Sequence, residues 1–409
     1  DYTNIYATDT AQSNWVVPLS GDPVIDSLLF GFTLDSDRDP NTPLTITYSF
    51  VDTNSVYFYP NKWEGFDYEL EDIIDISQGY KEAVRDILSQ LSQLLGITFT
   101  EVEETHILVG DIRFVEFNDP DTSGGGESQV QGFDYGNVDD YVYPLGSTDS
   151  DIWIQSNGGG WEPGSYNFQT VVHEIGHALG LKHPFQGFSA PINANEAANY
   201  PWLVEYGLTF GIDQYLPFSD DYLDSYAYTQ MSYSAIANSD ADSVYVIADG
   251  RAINPSVMMA ADISALLYIY AYDPLTGQYN IPDYESGDNV YVIDGPVFTT
   301  IHDTGGYDVL NLTAFSFDIG FDMNSMSNEL GTDLLGYGEG EPTSGYILGI
   351  SKFTTIENIK FGSGNDVIAT SGSYQVKVEA GGGNDVIIGI GIWDSLYGES
   401  GDDNFELWG

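Results

Sequence analysis

The stretch from His173 to His183 dictates a helix that must stop abruptly and fold back. His173 and His177 stand four apart, so on a helix they share one face, one turn apart. Gly180 follows, a residue type that enters φ > 0 freely, so the helix can end there and the chain can turn. The turn returns His183 to the other two histidines. Three imidazoles placed in this way can grip one Zn²⁺. Three protein ligands leave a position open for water, the layout of a catalytic zinc rather than a structural one. Glu174, next to the first ligand, can reach a water at the metal with its carboxylate. The chain has five histidines, three of them within this motif. His106 and His302 lie in apparent strand segments and read as structural.

The charge balance narrows the partners. There are 63 acidic and 10 basic residues, for a formal net charge of −53. Nucleic acid and anionic membranes need Lys/Arg surfaces, so both are excluded as partners. Self-repulsion on that scale destabilises a compact state unless cations screen it or bind. Salty surroundings and bound Ca²⁺ are two remedies. There is no cysteine, so metal ions rather than disulfides must do any stapling, which is compatible with secretion. The few Lys and Arg also leave few sites for trypsin-like enzymes. No apolar run approaches the roughly 20 residues needed to cross a bilayer. The chain begins at Asp1 without an initiator Met or a basic, apolar leader, and is expected to be a mature product.

At 409 residues the chain calls for two domains. Residues 44–51 alternate as a half-buried strand does. Residues 79–95 carry Val84, Ile87, Leu88, Leu91 and Leu95 at helical spacing, and Gly96 ends the helix. Segments 97–102, 106–117, 140–145 and 151–156 read as strands. The metal helix starts near Tyr166, and 262–270 reads as one more helix. The first domain is placed at 1–275 and the second at 276–409.

From about residue 280 helical periodicity disappears. Three segments share a frame: Gly362-Ser363-Gly364-Asn365-Asp366-Val367-Ile368, Gly381-Gly382-Gly383-Asn384-Asp385-Val386-Ile387 and Glu399-Ser400-Gly401-Asp402-Asp403-Asn404-Phe405. They match the GGxGxDxUx nonapeptide of Ca²⁺-binding parallel β-rolls. Glycines let the backbone bend tightly and aim carbonyls inward, Asp supplies a charged oxygen, and oxygen-only ligands suit Ca²⁺. Halfway between, the frame passes through Val376 and Asp394, where the glycines are lost. Two nonapeptides make one turn, so the expectation is a competent Ca²⁺ ladder on one side and a weak or metal-free side opposite.

The chain resembles the serralysins. HExxHxxGxxH is the metzincin signature, Pro184 after the third histidine matches that family, and Met231-Ser232-Tyr233 matches its Met-turn. The resemblance implies an α+β metzincin-like catalytic domain followed by an all-β parallel β-roll. It implies one catalytic Zn²⁺ on His173, His177 and His183, with Met231 as the apolar floor and Tyr233 as an additional, displaceable ligand. It also implies several structural Ca²⁺. One set is Glu285, Gly287 and Asn289 through carbonyls, with Asp303, Gly305, Gly306 and Asp308. A second set includes Thr355 and Glu357. The repeats add Gly362, Gly364, Asp366, Gly381, Gly383, Asp385, Gly401 and Asp403. Glu285 stands where relatives carry Arg, which costs nothing if only its carbonyl binds. Family members continue beyond the repeats, whereas this chain stops at Gly409 partway into another, so a trimmed C-terminus or an early end is expected.

The leading expectation is thus a secreted, extracellular zinc endopeptidase. It acts as a monomer on protein substrates, with a proteinaceous inhibitor as a further partner class. Glu174 is its general base, and Tyr141–Leu145 is the edge strand on which substrate lies. An extracellular Ca²⁺-stiffened binding or adhesion module with a vestigial zinc site is the alternative, and it predicts loss of Glu174. A zinc hydrolase acting on non-peptide bonds is a third reading.

Overall fold

The longest helix forms where the apolar spacing demands it. We label the helices α1 (Pro23–Leu28), α2 (Gln78–Leu95), α3 (Tyr166–Ala178) and α4 (Ala260–Tyr270). The computed structural model describes residues 15–30, 32–34, 42–52, 73–104, 109–118, 125–128, 151–155, 159–184, 224–233, 245–246, 252–295, 297–325, 327–329, 346–391 and 393–407. Among the described residues no helix is long and apolar enough to cross a membrane. In α2, the Ser77 hydroxyl accepts from the Tyr80 N–H at the start, and Gly96 ends the helix at φ 69°. Its buried stripe includes Tyr80, Val84, Ile87, Leu88, Leu91 and Leu95. Full burial of each such side chain stabilises by roughly 2 kcal/mol.

Proximity divides the chain into two compact units. The first comprises Asp1–Glu162, Tyr166–Asp224 and Ala265–Asn280; the second comprises Pro163–Ser165, Ser225–Ser264 and Ile281–Gly409. Ser225–Ser264 thus groups with the C-terminal segment, whereas the sequence places everything up to residue 275 in the N-terminal domain. Packing accounts for the grouping, since Tyr226, Ala227, Tyr228 and Met259 form one apolar cluster with Phe298 and Ile347.

In the first unit a sheet runs in the order Thr98–Glu101, Thr45–Phe50, Ile112–Phe117, Asp151–Gln155, Gly125–Ser128, with Ile73–Ile74 paired beside Ile112–Phe117. The first four strands are parallel, and Gly125–Ser128 pairs antiparallel at the edge. Of the strand expected over 106–117, Ile112–Phe117 is found and residues 109–111 are not strand, while 106–108 lie outside the described residues. Just before Ile112, the Asp111 carboxylate accepts from both the N–H and the hydroxyl of Thr47, each at 2.7 Å. A side chain has taken the place of a ladder bond. The segment 140–145, including the expected substrate edge Tyr141–Leu145, lies outside the described residues, as does His106.

The second unit holds two parallel sheets. One contains Val290–Val292, Val309–Asn311, Asn358–Lys360, Lys377–Glu379 and Ser395–Tyr397; the other contains Gly320–Asp322, Val367–Ala369, Val386–Gly389 and Asn404–Leu407. From Asn358 onward successive strands alternate between the two sheets. That is the winding a roll with two strands per turn requires, consistent with the expected β-roll. Leu310, Ile359 and Val378 of one sheet and Phe321, Ile368 and Ile387 of the other share one buried core. Val367 pairs with Val386, and Val386 with Asn404, in register with the sequence repeat.

Candidate metal centre

α3 is buried on nearly every side, as its sequence requires. Phe168, Val171, Val172 and Ile175 are at most 1% exposed, and an apolar surface of that breadth belongs inside. The helix ends at Gly180, whose φ is 102°. There the Gly180 N–H donates to His177 O at 2.9 Å and the Leu181 N–H to Gly176 O at 3.0 Å. This pair of bonds is the Schellman arrangement, which needs a left-handed residue at that position. A side chain on residue 180 would strain the turn that carries His183.

The turn brings the three imidazoles together. His173 Nε2 lies 3.2 Å from His183 Nε2, and His177 Nε2 lies 3.1 Å from the same atom. All three side chains are buried. The Leu181 carbonyl sits 2.8 Å from His177 Nδ1. A carbonyl can only accept, so Nδ1 carries the proton and Nε2 presents its lone pair to the other rings. Burial, and then the neighbouring His173 and His183, hold the His177 pKa well below its usual value. Neutral imidazole lone pairs aimed at one point repel unless a cation lies between them. The donor set of three nitrogens fits zinc. Glu174, between the first two histidines of the cluster on α3, is 5% exposed. Met231 is fully buried and Tyr233 is 59% exposed; both belong to the second unit.

Three buried groups around these elements carry no motif and were not legible in the sequence. Tyr80 on α2 stacks on Trp161 at 4.7 Å. Burial raises its hydroxyl pKa well above the usual value, helped by the charges of Glu116 and Glu174. Lys182 is 4% exposed, and its ammonium donates to Ser27 O and His183 O. In the second unit, Asp262 is fully buried and accepts from the Thr229 hydroxyl at 2.5 Å, the Gln230 N–H at 2.7 Å and the Met259 N–H at 2.9 Å. It closes the first turn of α4 and grips the residues that lead into Met231.

The loops expected to hold calcium are brought together too. Asn289 N–H donates to Asp308 Oδ1 at 2.8 Å, and Asp308 N–H donates to Glu357 Oε2 at 2.7 Å. The Thr355 hydroxyl donates to Glu357 Oε1 at 3.0 Å. The Asn289 amide donates to Glu285 O and to Asp303 Oδ2, and Gly305 N–H donates to Asp303 Oδ1. A methyl group on Gly306 would stand 2.2 Å from Gly287 O.

In the repeats, Asp366 Oδ1 accepts from Ile319 N–H, Asp385 Oδ1 from Asp366 N–H, and Asp403 Oδ1 from Asp385 N–H. The second carboxylate oxygens of Asp308, Asp366 and Asp385 are buried and receive no donor. Burial first, then neighbouring carboxylates, raises their pKa values, to about 6 at Asp308 and about 7 at Asp366. Gly383 and Gly401 have φ 131° and 145°, and a methyl group there would meet Gly364 O at 1.9 Å and Gly383 O at 1.5 Å. Gly362 and Gly381 approach the preceding turn as closely. Backbone carbonyls and orphaned carboxylate oxygens are donors that suit Ca²⁺. On the opposite side Asp394 differs. Its Oδ1 accepts from Val376 N–H at 3.0 Å, and its Oδ2 accepts from the Thr370 hydroxyl at 2.7 Å and from Gly391 N–H at 3.2 Å.

Known proteins give this geometry its context. Serralysin of Photorhabdus luminescens is 30% identical over 213 residues, which is 50% of this chain and 36% of that protein. Serralysin of Proteus mirabilis is 25% identical over 357 residues, 80% of this chain and 59% of that protein. The chain is serralysin-like. It spans between about a third and three fifths of the length of these curated serralysins. No family model matches it. The solved structure of myroilysin aligns over 56% of this chain and 93% of that one at 16% identity, but its TM-score of 0.24 is too low to bear on the fold.

Proposed function

We propose that this serralysin-like chain is a secreted zinc endopeptidase that hydrolyses peptide bonds in proteins. The observation that carries the reading is the convergence of three buried histidine nitrogens, two of them on the helix that also bears Glu174. Zinc held by His173, His177 and His183 supplies Lewis acidity, polarising a carbonyl and lowering the pKa of a water. Glu174 does the proton work: it accepts a proton from the attacking water and returns it to the leaving amine. Its near-complete burial excludes bulk water from that transfer. Tyr233 takes the role the resemblance gives it, donating a hydrogen bond to the oxyanion of the tetrahedral state. Substrate backbone adds as a strand. Among the described residues, the antiparallel edge Gly125–Ser128 is the candidate.

Calcium belongs to the same reading as a structural partner of the 285–308, 355–357 and 362–403 loops. Polypeptides are the substrates, a protein inhibitor is a second partner class, and the protein works as a monomer outside the cell. The test is Glu174→Gln. It should keep about one equivalent of zinc and lose casein and peptide cleavage by roughly a thousandfold, as loss of a general base does. Substantial cleavage by this variant would sink the mechanism.

A further inference from the structure

Two of the three metal ligands are placed by α3 itself. The third is not: His183 lies beyond the helix end, after a left-handed glycine, and something outside the helix must hold it. We propose that Lys182 is a positioning residue for His183, stapling the ligand-bearing turn to the end of α1. The inference rests on the metal reading above.

The turn's carbonyls are taken up one after another. Leu179 O accepts from the Tyr270 hydroxyl at 3.0 Å, Gly180 O from Phe30 N–H at 2.9 Å, and Leu181 O from His177 Nδ1 at 2.8 Å. His183 O, the carbonyl of the ligand itself, accepts from Lys182 Nζ at 3.3 Å. Lys182 also reaches away from the turn. Its ammonium donates to Ser27 O at 2.5 Å, and its N–H donates to Leu28 O at 2.8 Å. One residue thus fastens the turn to α1 twice, by main chain and by side chain. An antiparallel bridge between Leu29 and Leu181 continues the same seam.

The acceptors fit a cation. Ser27 and Leu28 end the six-residue α1, where carbonyls lack helical partners and the dipole favours positive charge. α1 is itself anchored. The Asp22 carboxylate caps it through Val24 N–H, and the Asp26 carboxylate accepts from the N–H and hydroxyl of Ser20 and from Gly21 N–H. The support therefore runs from Ser20 and Gly21 through α1 and Lys182 to the third ligand. Burial pulls the Lys182 pKa down to about 8, a measure of what hiding an ammonium costs. An apolar side chain of the same length would fill the space without that penalty but could not bridge two carbonyls.

The test uses the full chain loaded with Zn²⁺, and separately with Co²⁺ as a spectroscopic probe. Lys182→Met keeps length and volume without the donor, and Lys182→Gln keeps a polar end. Supporting groups behind a metal ligand commonly change affinity 10- to 100-fold. Both variants should release zinc to a chromophoric chelator at least about tenfold faster than wild type. Both should also show an altered Co²⁺ visible spectrum, with Lys182→Met the more affected. Wild-type release rates and an unchanged spectrum in both would overturn the proposal. Failure of both variants to fold with zinc present would overturn it too, because Lys182 would then hold the fold and not the ligand. A wild-type protein that takes up neither metal refutes the metal reading itself, an outcome separate from either of these.

Discussion

At the scale of single residues, the site depends on where protons are held. His177 has its proton fixed on Nδ1 by a carbonyl one turn further on, so its other nitrogen is available without any rearrangement. Tyr233→Phe should lower kcat on the order of a hundredfold with little change in KM, since the proposed hydrogen bond exists only in the transition state. Equal kcat in the two proteins would leave the tyrosine as packing.

Asp262 gives a pH prediction. Burial raises its pKa from 3.8 to about 6, against the pull of its three donors. A raised carboxyl pKa adds stability that is fully present below the unfolded value and is lost as pH rises through the folded one. The stability of wild type relative to Asp262→Asn should therefore fall by a few kcal/mol between about pH 4 and pH 7. Denaturant unfolding of both proteins at the two pH values measures it, and a constant difference would refute it. The three clustered histidines were legible because helix geometry fixes the spacing of His173 and His177 and the left-handed Gly180 returns His183. Lys182 and Asp262 were not, because Lys182 bonds carbonyls up to 155 residues away and Asp262 bonds two backbone N–H groups and a hydroxyl, and a backbone group leaves no mark in a sequence.

At the scale of elements, the two sides of the winding differ in what their carboxylates lack. Asp385 keeps a buried oxygen without a donor, while both oxygens of Asp394 are occupied by the protein. Asp385→Asn should lower the number of bound Ca²⁺. Asp394→Asn should destabilise by about 1–3 kcal/mol, the usual worth of bonds to a charged group, and leave the number unchanged. Calorimetric titration decides, and equal stoichiometric losses would make the two sides equivalent. Strand positions in this region could be read from the repeat because each turn reuses the same frame. Within the strand expected over 106–117, the described residues 109–111 are not strand, because Asp111 caps a neighbouring strand in place of a ladder bond. Nothing in the apolar alternation reports such a side-chain substitution.

At the scale of the whole molecule, the net charge of −53 sets the terms. Chelation with EGTA should unfold residues from about 281 onward first, and NaCl should restore them only in part. Salt screens repulsion but does not fill the orphaned oxygens of Asp308, Asp366 and Asp385. Hydrogen exchange on the chelated protein at low and high salt tests this. Unchanged protection without Ca²⁺ would refute the coupling of binding and folding, and full recovery in NaCl would make screening the whole cause. The grouping of Ser225–Ser264 with the C-terminal segment was not legible, since it is decided by apolar contacts to Phe298 and Ile347 rather than by any change in composition.

The direction of the side-chain rungs has a consequence for how the molecule is made. Asn289, Ile319, Asp366, Val376 and Asp385 each give their N–H to a carboxylate that comes later in the chain, at Asp308, Asp366, Asp385, Asp394 and Asp403 respectively. Other bonds run the opposite way: Tyr307, Asn365, Asn384 and Asp402 give their N–H to the earlier side chains of Asp288, Asp318, Asn365 and Asn384, and the N–H groups of Val367, Val386 and Asn404 reach earlier carbonyls. Synthesis delivers the early residues first, so a new turn can settle on its predecessor through these bonds while one buried N–H of that predecessor still waits for the carboxylate of the turn to come.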